Sequence, residues 1–441
     1  MTDHDTTSSV EGAATLAPPS GQRRAGLLET LLSFEAVYVL FLFAGIYKGD
    51  PRLAWFPIDL TALFGALSLL IAGFVLARRD FRVQRESVAL LAWFSAFTAY
   101  ATISLSWSPG HTYAMQKAVY LGTVVVWAMG GSALVVAGDP VRLRRLWTML
   151  RVFAVFVAFE TTVSFLRSSP GEEIVSLGVK YLPLGRVIGI GVVLFVAHAM
   201  YGAGGRLTRI FNLGVSGLLL ALLLVLGARG PFLALLVALM VPIFTESRAL
   251  EGHLLALRPQ AAWLSLAVAG MVAVVGYLLW ANPEAVATVR RLAVLLTPSG
   301  GVSASARVYY FSSAFALWEQ SPIFGNGVGS WPVLAWGLDT RGYPHNLILE
   351  TLSELGLTGL LFLSAVAAIA FSSLRRTWRR AHWPPTATIL AMLVVNAGLN
   401  AMVTGDIPDN RFLFAVFGLM IGWTPARTPV IEQAGATLDA T

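Results

Sequence analysis

The sequence predicts an all-α polytopic membrane protein with about twelve transmembrane helices and one long extracytoplasmic loop. Of its 441 residues, 56% are hydrophobic and only 12% are charged, which is about half the charged fraction of a typical soluble domain. Apolar runs of about 20 residues, the length that crosses a bilayer as a helix, recur along the chain. No polar segment is long enough to form a soluble domain of its own.

The apolar runs divide the chain into a disordered cytoplasmic tail (1–26), a transmembrane domain (27–424) and a second disordered cytoplasmic tail (425–441). Glycine and proline between Gly227 and Pro231 leave open whether two neighbouring runs form one broken helix. The predicted spans cover residues 27–47, 57–77, 88–106, 119–137, 148–166, 185–203, 211–227, 231–245, 261–281, 347–371, 386–403 and 411–424.

The basic residues predict the orientation of these spans. If the N-terminus is cytoplasmic, most of the 31 Lys and Arg residues fall in inner connections, as the positive-inside rule requires. Both termini are therefore expected in the cytoplasm. The same rule accounts for most of the net charge of +7, so nucleic-acid binding is not expected. The absence of cysteine excludes disulfides, a thiolate nucleophile and a Cys-based metal site.

The connection 282–346, between the ninth and tenth spans, is far longer than the usual connection of about four to six residues. A helix is predicted near 306–320, with Ser303 and Ser305 placed to cap it. Its many aromatic residues suit a helix lying along the membrane interface, and a purely anchoring role is the alternative. The run Gly325–Gly329 lacks the preceding strand of a nucleotide-binding loop; it predicts a tight turn that positions Arg307 relative to His345.

Three side chains on the predicted outer side suit a transfer reaction. His345, where the loop meets the tenth span, can accept and return a proton near neutral pH, although a structural role is the alternative. Arg229 and Arg307 can hold phosphate oxygens through charged hydrogen bonds. Alternatively, these arginines extend their heads to water from an apolar surface.

Short motifs in and around this loop occur in a recognisable order. Within it and the next span they are Arg307, Pro322–Gly325, Gly327, His345-Asn346, Leu349-Glu350, Glu354, Gly356 and Gly359. Elsewhere, Leu105–Pro109 reads LSWSP, and Gly227–Gly230 reads GARG. The pattern resembles the signature of the bacterial O-antigen ligase and O-antigen polymerase superfamily, which often has serine where this chain has Ala228.

The resemblance implies a membrane-embedded glycosyltransferase with a glycosyltransferase-C-like fold, in the bacterial inner membrane with its active site on the periplasmic side. Its donor would be a glycan on undecaprenyl diphosphate. Its acceptor would be lipid A–core for a ligase, the preferred reading, or a second lipid-linked glycan for a polymerase. Membrane lipids would be its other partners, with no metal and no cofactor. By their positions in the matched motifs, His345 would act as the base, and Arg307 and Arg229 would bind the diphosphate.

Further polar residues are weaker candidates. Arg186 and Arg341 could join the diphosphate site as substrate-binding residues. Glu350 and Glu354, which follow the histidine, could orient it or bind sugar hydroxyls, and hydrogen bonds between helices are the alternative. Asn346, directly after the histidine, is a further candidate for substrate binding. Glu160 lies within the fifth span, where a carboxylate is a functional candidate by default unless a neighbouring basic residue pairs with it.

The main alternative from another class is a twelve-span transporter or a flippase for lipid-linked sugars. A flippase would be expected to line a central cavity with charges, but Glu160 is almost alone within the predicted spans. The long loop also lies outside, between the ninth and tenth spans, rather than inside and at the middle of the chain as in a facilitator-type transporter.

Overall fold

The computed structural model describes residues 33–169, 173–250, 253–257, 259–282, 284, 286–297, 301–378 and 383–421. The predicted tails 1–26 and 425–441 lie outside these residues. The helices are α1 (Phe34–Tyr47), α2 (Leu60–Ala77), α3 (Arg85–Ile103), α4 (Thr112–Val136), α5 (Pro140–Arg167), α6 (Tyr181–Tyr201), α7 (Arg206–Leu226), α8 (Arg229–Glu246), α9 (Pro259–Ala281), α10 (Ala287–Leu295), α11 (Val302–Gln320), α12 (Trp331–Trp336), α13 (Leu347–Trp378), α14 (Pro385–Ala401) and α15 (Arg411–Leu419).

Short elements connect these helices. Two antiparallel hairpins pair β1 (Val175–Ser176) with β2 (Val179–Lys180) and β3 (Ser247–Leu250) with β4 (His253–Leu257). Single 3₁₀ turns cover Pro51–Leu53, Ser104–Ser106 and Pro408–Asn410. Within α4, the helix widens to π geometry over Leu121–Val125 and Ser132–Val136.

The membrane class is confirmed. Within the described residues, nine helices are long and apolar enough to cross a bilayer: α2 to α9 and α13. Within the described residues, the predicted spans at 27–47, 386–403 and 411–424 overlap the shorter helices α1, α14 and α15, so the count of twelve stays a prediction. Helix α6 is the most enclosed of the nine, with 78% of its apolar window buried. A helix that is apolar all round is expected at such a central position.

The run around Gly227 forms two helices and not one broken helix. Gly227 ends α7 in the left-handed region at φ +77°, and α8 begins two residues later. The left-handed conformation at Gly227 favours glycine, and a Cβ there would lie 3.2 Å from the Arg291 Nε, a tight contact. Pro231 falls in the first turn of α8, where a helix loses nothing by its missing N–H.

The glycine-rich turn of the loop fits into a break in α13. At Gly356, with φ +63°, the helical backbone is interrupted. Beyond the break, the Leu357 N–H donates to the Pro322 carbonyl at 2.9 Å and the Thr358 N–H to the Ile323 carbonyl at 3.0 Å. The turn therefore satisfies backbone groups that the interrupted helix leaves open.

The LSWS segment holds the same turn from the opposite side. The Val328 N–H donates to the Ser104 hydroxyl at 2.9 Å, and the Ser108 hydroxyl donates to the Val328 carbonyl at 2.8 Å. The Trp107 indole N–H donates to the Gly325 carbonyl at 3.3 Å. Motifs more than 200 positions apart in the sequence thus meet in one structural unit.

The helix that carries Arg307 begins earlier than predicted, at Val302. Gly301 occupies its N-cap and makes no side-chain capping bond, so the predicted capping by Ser303 or Ser305 is wrong. Instead, the Ser305 hydroxyl donates back to the Gly301 carbonyl at 3.3 Å, a bond that serine makes inside a helix rather than at its start.

Candidate active site

Three arginines from three separate helices line one cavity of about 240 Å³. Arg229 stands at the first position of α8, Arg291 on α10 and Arg307 on α11. We call this space the arginine cavity; its lining residues are Tyr181, Leu182, Gly227, Arg229, Gly230, Arg291, Val294, Gly301, Val302, Ser303 and Arg307. The structure thus brings together the two predicted arginines and adds a third.

Backbone and ring contacts fix two of these arginines. The Arg229 Nη1 donates to the Arg291 carbonyl at 2.9 Å, and the Arg291 Nη1 donates to the Gly227 carbonyl at 3.3 Å. The Arg291 guanidinium also lies 4.0 Å from the ring centroid of Tyr181, a cation–π contact. These contacts orient the side chains and leave their charges uncompensated.

No carboxylate within the described part of the chain forms an ion pair with Arg229, Arg291 or Arg307. Burial lowers the pKa of Arg307 below its ordinary value, but a guanidinium stays protonated at neutral pH. Residues at the N-termini of α8 and α11 also line the cavity, and helix N-termini add positive potential and free N–H groups. The arginine cavity is therefore built to hold an anion of more than one charge.

His345 lies beside this cavity. Its ring stacks on Tyr310 of α11, with centroids 5.7 Å apart, and contacts the edge of Tyr343 at 4.6 Å. Tyr310 is three positions after Arg307, so the two side chains share one face of the helix. The His345 backbone adopts φ +59°, a conformation that is uncommon for a residue with a side chain. Backbone strain of this kind clusters at active sites.

The environment of His345 keeps its imidazole neutral. Burial, followed by the charge of Arg307, lowers its pKa to about 4, while Asp409 acts in the opposite direction. Its Nδ1 is buried and has no hydrogen-bond partner among the described residues. A neutral imidazole with a free nitrogen can accept a proton from a hydroxyl.

Arg186 and Arg341, predicted to join the diphosphate site, lie in a different place. Arg341 pairs with Asp409 at 2.7 Å and with Asp406 at 3.5 Å. The Arg186 Nη2 donates to the Asn410 Oδ1 at 2.6 Å. Neither residue lines the arginine cavity; their partners are instead carboxylates and an amide of the connection between α14 and α15.

Glu350 belongs to a buried ion cluster centred on Lys117. The Lys117 Nζ lies 2.5 Å from the Glu350 Oε1 and 2.7 Å from the Glu354 Oε2, and all three side chains have 0% exposure. Glu354 also accepts the Gly329 N–H at 2.8 Å, and Glu350 accepts the Ile407 N–H at 3.2 Å. The cluster therefore fastens the glycine-rich turn and the α14–α15 connection to α4 and α13, and it occupies the Glu350 side chain that was predicted to bind substrate.

Asn346 acts as the N-cap of α13. Its Oδ1 accepts the N–H groups of Ile348 at 3.1 Å and Leu349 at 3.0 Å, and its Nδ2 donates to the Met402 carbonyl at 3.2 Å. This capping fixes the backbone directly after His345. The substrate-binding role predicted for Asn346 stays a prediction.

Glu160 pairs with a basic residue. Its Oε2 lies 2.8 Å from the Nη2 of Arg52, which also pairs with Asp50 at 2.7 Å. Glu160 lies away from both His345 and the arginine cavity, in an apolar groove between α1 and α5.

Sequence reasoning missed Arg291, Lys117, Asp406 and Asp409. Arg291 lies in the singled-out loop, beside Arg290, and only the tertiary structure separates the two. Lys117 could have been noticed as one of three lysines, placed at the start of an apolar run. The two aspartates stand in a short polar stretch, GDIPDN, between apolar runs.

Comparisons with known proteins cover the segment that holds these residues. Residues 214–364 match the family model described as O-antigen ligase, and this segment contains Arg229, Arg291, Arg307 and His345. The chain is also similar to an O-antigen ligase of Pseudomonas aeruginosa, with 28% identity over 328 residues, which are 73% of this chain and 71% of that protein. Both comparisons support the resemblance of this membrane protein to the O-antigen ligase family.

Proposed function

We propose that the protein transfers a glycan from undecaprenyl diphosphate to a hydroxyl of lipid A–core, at the outer face of the bacterial inner membrane. One observation carries this proposal: three uncompensated arginines line a single cavity next to a neutral, half-buried histidine. In this proposal both termini are cytoplasmic, and the end of the bundle with His345 faces the periplasm, as the positive-inside rule predicts.

The reaction would be a single displacement. The acceptor oxygen attacks the anomeric carbon of the donor sugar, and its proton passes to a nitrogen of His345. The bond between the anomeric carbon and the diphosphate oxygen breaks, and undecaprenyl diphosphate leaves with the bonding electron pair. One displacement inverts the anomeric centre. The imidazolium then returns its proton to water.

The arginines would act mainly on the leaving group. Negative charge grows on the diphosphate as the glycosidic bond breaks, and Arg229, Arg291 and Arg307 are already fixed around the space it would occupy. Preorganised donors of this kind stabilise a transition state more than a ground state with less charge. Arg307 has a second effect, since its charge helps to keep His345 unprotonated before the acceptor arrives.

The ligase assignment over the polymerase is supported by the family description and by the name of the similar Pseudomonas protein. A deletion in the source bacterium tests it directly. Loss of glycan-capped lipid A–core supports a ligase, and single repeat units on lipid A–core would indicate a polymerase. Loss of a secreted polymer alone would indicate an exopolysaccharide enzyme.

Reconstitution separates transfer from transport. The purified full-length protein in liposomes should convert lipid A–core and an undecaprenyl-diphosphate-linked glycan to a joined product with release of undecaprenyl diphosphate. Movement of the lipid-linked glycan between leaflets without a joined product would contradict the proposal and favour a flippase.

A further inference from the structure

A second, larger cavity is lined by Arg341, whose guanidinium lies 5.7 Å from the ring of Tyr343, a neighbour of His345. Its volume is about 770 Å³, and α1, α2, α4 and the α14–α15 connection form its walls. Polar and charged residues at one end include Lys48, Asp59, Gln116, Arg341 and Asp409. We call it the mixed-charge cavity.

The rest of the mixed-charge cavity is apolar and open along α2. Phe41, Leu69, Val124 and Trp127 contribute to this part. Leu69 is 51% exposed. Ala66, about one turn before Leu69, is also exposed, and its small side chain leaves space in the wall. The cavity thus suits a molecule with a polar head and an apolar tail that enters between helices.

Most of the charges that line this cavity are paired, unlike those of the arginine cavity. The exception is Arg411, whose Nη1 donates to the Phe41 carbonyl at 3.3 Å. Lys48 pairs with Asp59 at 2.9 Å, and Arg341 pairs with Asp409 at 2.7 Å. A rim with both carboxylate acceptors and cationic donors matches sugar hydroxyls, each of which both donates and accepts. It matches a diphosphate poorly, because each carboxylate would repel the anion.

The ring contacts of His345 lead toward both cavities, although His345 lines neither of them. On one side it stacks on Tyr310, which shares a helix face with Arg307 of the arginine cavity. On the other side it contacts Tyr343, whose ring lies 5.7 Å from the guanidinium of Arg341, a lining residue of the mixed-charge cavity. A base that joins two substrates needs this position between them.

We infer that the mixed-charge cavity binds the acceptor, a lipid-anchored saccharide whose hydroxyl-rich head lies toward His345 and whose tail lies along α2. This inference rests on the proposed function, because it assigns one of the two substrates to a site. The donor diphosphate then occupies the arginine cavity, and the two lipids approach from different sides of the bundle.

Filling the cavity tests the inference. Ala66→Leu and Ala66→Trp add graded volume to the apolar wall without changing any charged residue. Transfer is measured with reconstituted full-length protein while lipid A–core and the lipid-linked glycan are varied separately. We expect the KM for lipid A–core to rise with side-chain volume, by about tenfold or more for Ala66→Trp, while the KM for the donor stays within about twofold of the wild type.

Leu70→Trp is the matched control, because Leu70 is 72% exposed on the same helix and does not line the cavity. It should leave both KM values unchanged. An unchanged acceptor KM in Ala66→Trp would overturn the inference. So would a rise in the donor KM alone, which would assign the cavity to the donor glycan. The unchanged donor KM in the same protein also shows that the variant is folded.

Failure of the proposed function has a different signature. In that case the wild-type protein forms no joined product with lipid A–core at any concentration. A wild type that transfers glycan, together with an Ala66→Trp variant that does so with an unaltered acceptor KM, rejects the acceptor site and leaves the proposed function intact.

Discussion

The arginine cavity and the buried ion cluster differ in whether their cations are paired with carboxylates of the protein. In the ion cluster, one lysine lies between two glutamates, and no exposed surface remains on any of the three side chains. In the arginine cavity, three cations face a space without any described acidic lining residue. Both regions contain residues from helices distant in sequence. They differ in whether the protein itself supplies the counter-charge.

This difference separates structural charge from charge available to a ligand. Burying ions is costly unless they are paired, so the complete pairing of Lys117 indicates a fastening between α4 and α13. Cations left together without partners repel one another and reduce stability. They are expected where a bound anion completes the arrangement. The comparison therefore predicts that mutations in the two regions affect different properties.

The largest effect is expected for the base beside the uncompensated cations. His345→Gln should lower the transfer rate by about 10² to 10⁴-fold, because the variant cannot accept the acceptor proton. The rate is measured as product formed by the reconstituted protein. His111→Gln is the control, since His111 is exposed at the start of α4 and should transfer normally. Full activity in His345→Gln would reject the catalytic assignment.

Removal of the cation from the ion cluster should affect folding. Lys117→Met leaves two buried glutamates without a counter-charge and should destabilise the protein by about 3 to 5 kcal/mol. The measurement is thermal unfolding of the detergent-solubilised protein. Adding Glu350→Gln and Glu354→Gln should recover much of the loss. As the control, Lys180→Met should change stability by less than about 1 kcal/mol, because the Lys180 side chain is 70% exposed.

Arg291→Ala should show the reverse behaviour. Loss of one preorganised charged donor typically costs about 10² to 10³-fold in rate, and the melting temperature should stay equal or rise because repulsion within the cavity is relieved. Arg290 offers a matched neighbour: it lies 3.8 Å from Glu284 and outside the cavity, so Arg290→Ala should remain active. Equal activity of the two variants would show that the cavity does not hold the leaving group.

The pH profile tests the electrostatic link between the arginine cavity and the base. Since the pKa of His345 is lowered to about 4, its neutral form persists as the pH falls through 6.5, the ordinary value for histidine. The kcat/KM for the donor, which reports the free enzyme, should therefore be constant from about pH 8 to about pH 5 and fall near pH 4. Samples returned to neutral pH should regain full activity, which excludes irreversible inactivation as the cause.

Replacement of Arg307 sharpens the same measurement. In Arg307→Gln, the pH at which kcat/KM falls on the acidic side should move toward 6.5, because one of the two causes that lower the pKa of His345 is gone. In the wild type, kcat should begin to fall at a higher pH than kcat/KM does. The reason is that a bound diphosphate offsets the charge of Arg307 and so raises the pKa of His345 in the complex. An acidic limb near 6.5 in the wild-type kcat/KM would contradict this coupling.

The smallest effect is expected at Glu160. Its partner Arg52 is 62% exposed and keeps Asp50 as a second partner, so Glu160→Gln should change the free energy of unfolding by less than about 1 kcal/mol. Transfer should be unchanged, because Glu160 lines neither cavity. A tenfold loss of transfer in Glu160→Gln would show that charge outside the two cavities also affects catalysis.

The sequence by itself determined the membrane class, the positions of most helices and the segment that holds the histidine. The physical reason is local: the bilayer demands long apolar runs, and these can be read residue by residue. The order of the short motifs along the chain can also be read from the sequence, and it identified His345, Arg229 and Arg307 as candidates. The sequence did not reveal the ion-pair and hydrogen-bond partners of Arg186, Arg341 and Glu350, because these partners are distant in sequence.

Only the tertiary structure decided which charges are compensated. Lys117 and Glu354 lie 237 positions apart, yet their side chains form a hydrogen bond. Arg290 and Arg291 are adjacent, yet only Arg291 lines the arginine cavity. The effect of a charge depends on its counter-charge and on its distance from water. Both are set when the helices pack, so an arginine in the sequence does not reveal whether it binds a substrate or a neighbouring carboxylate.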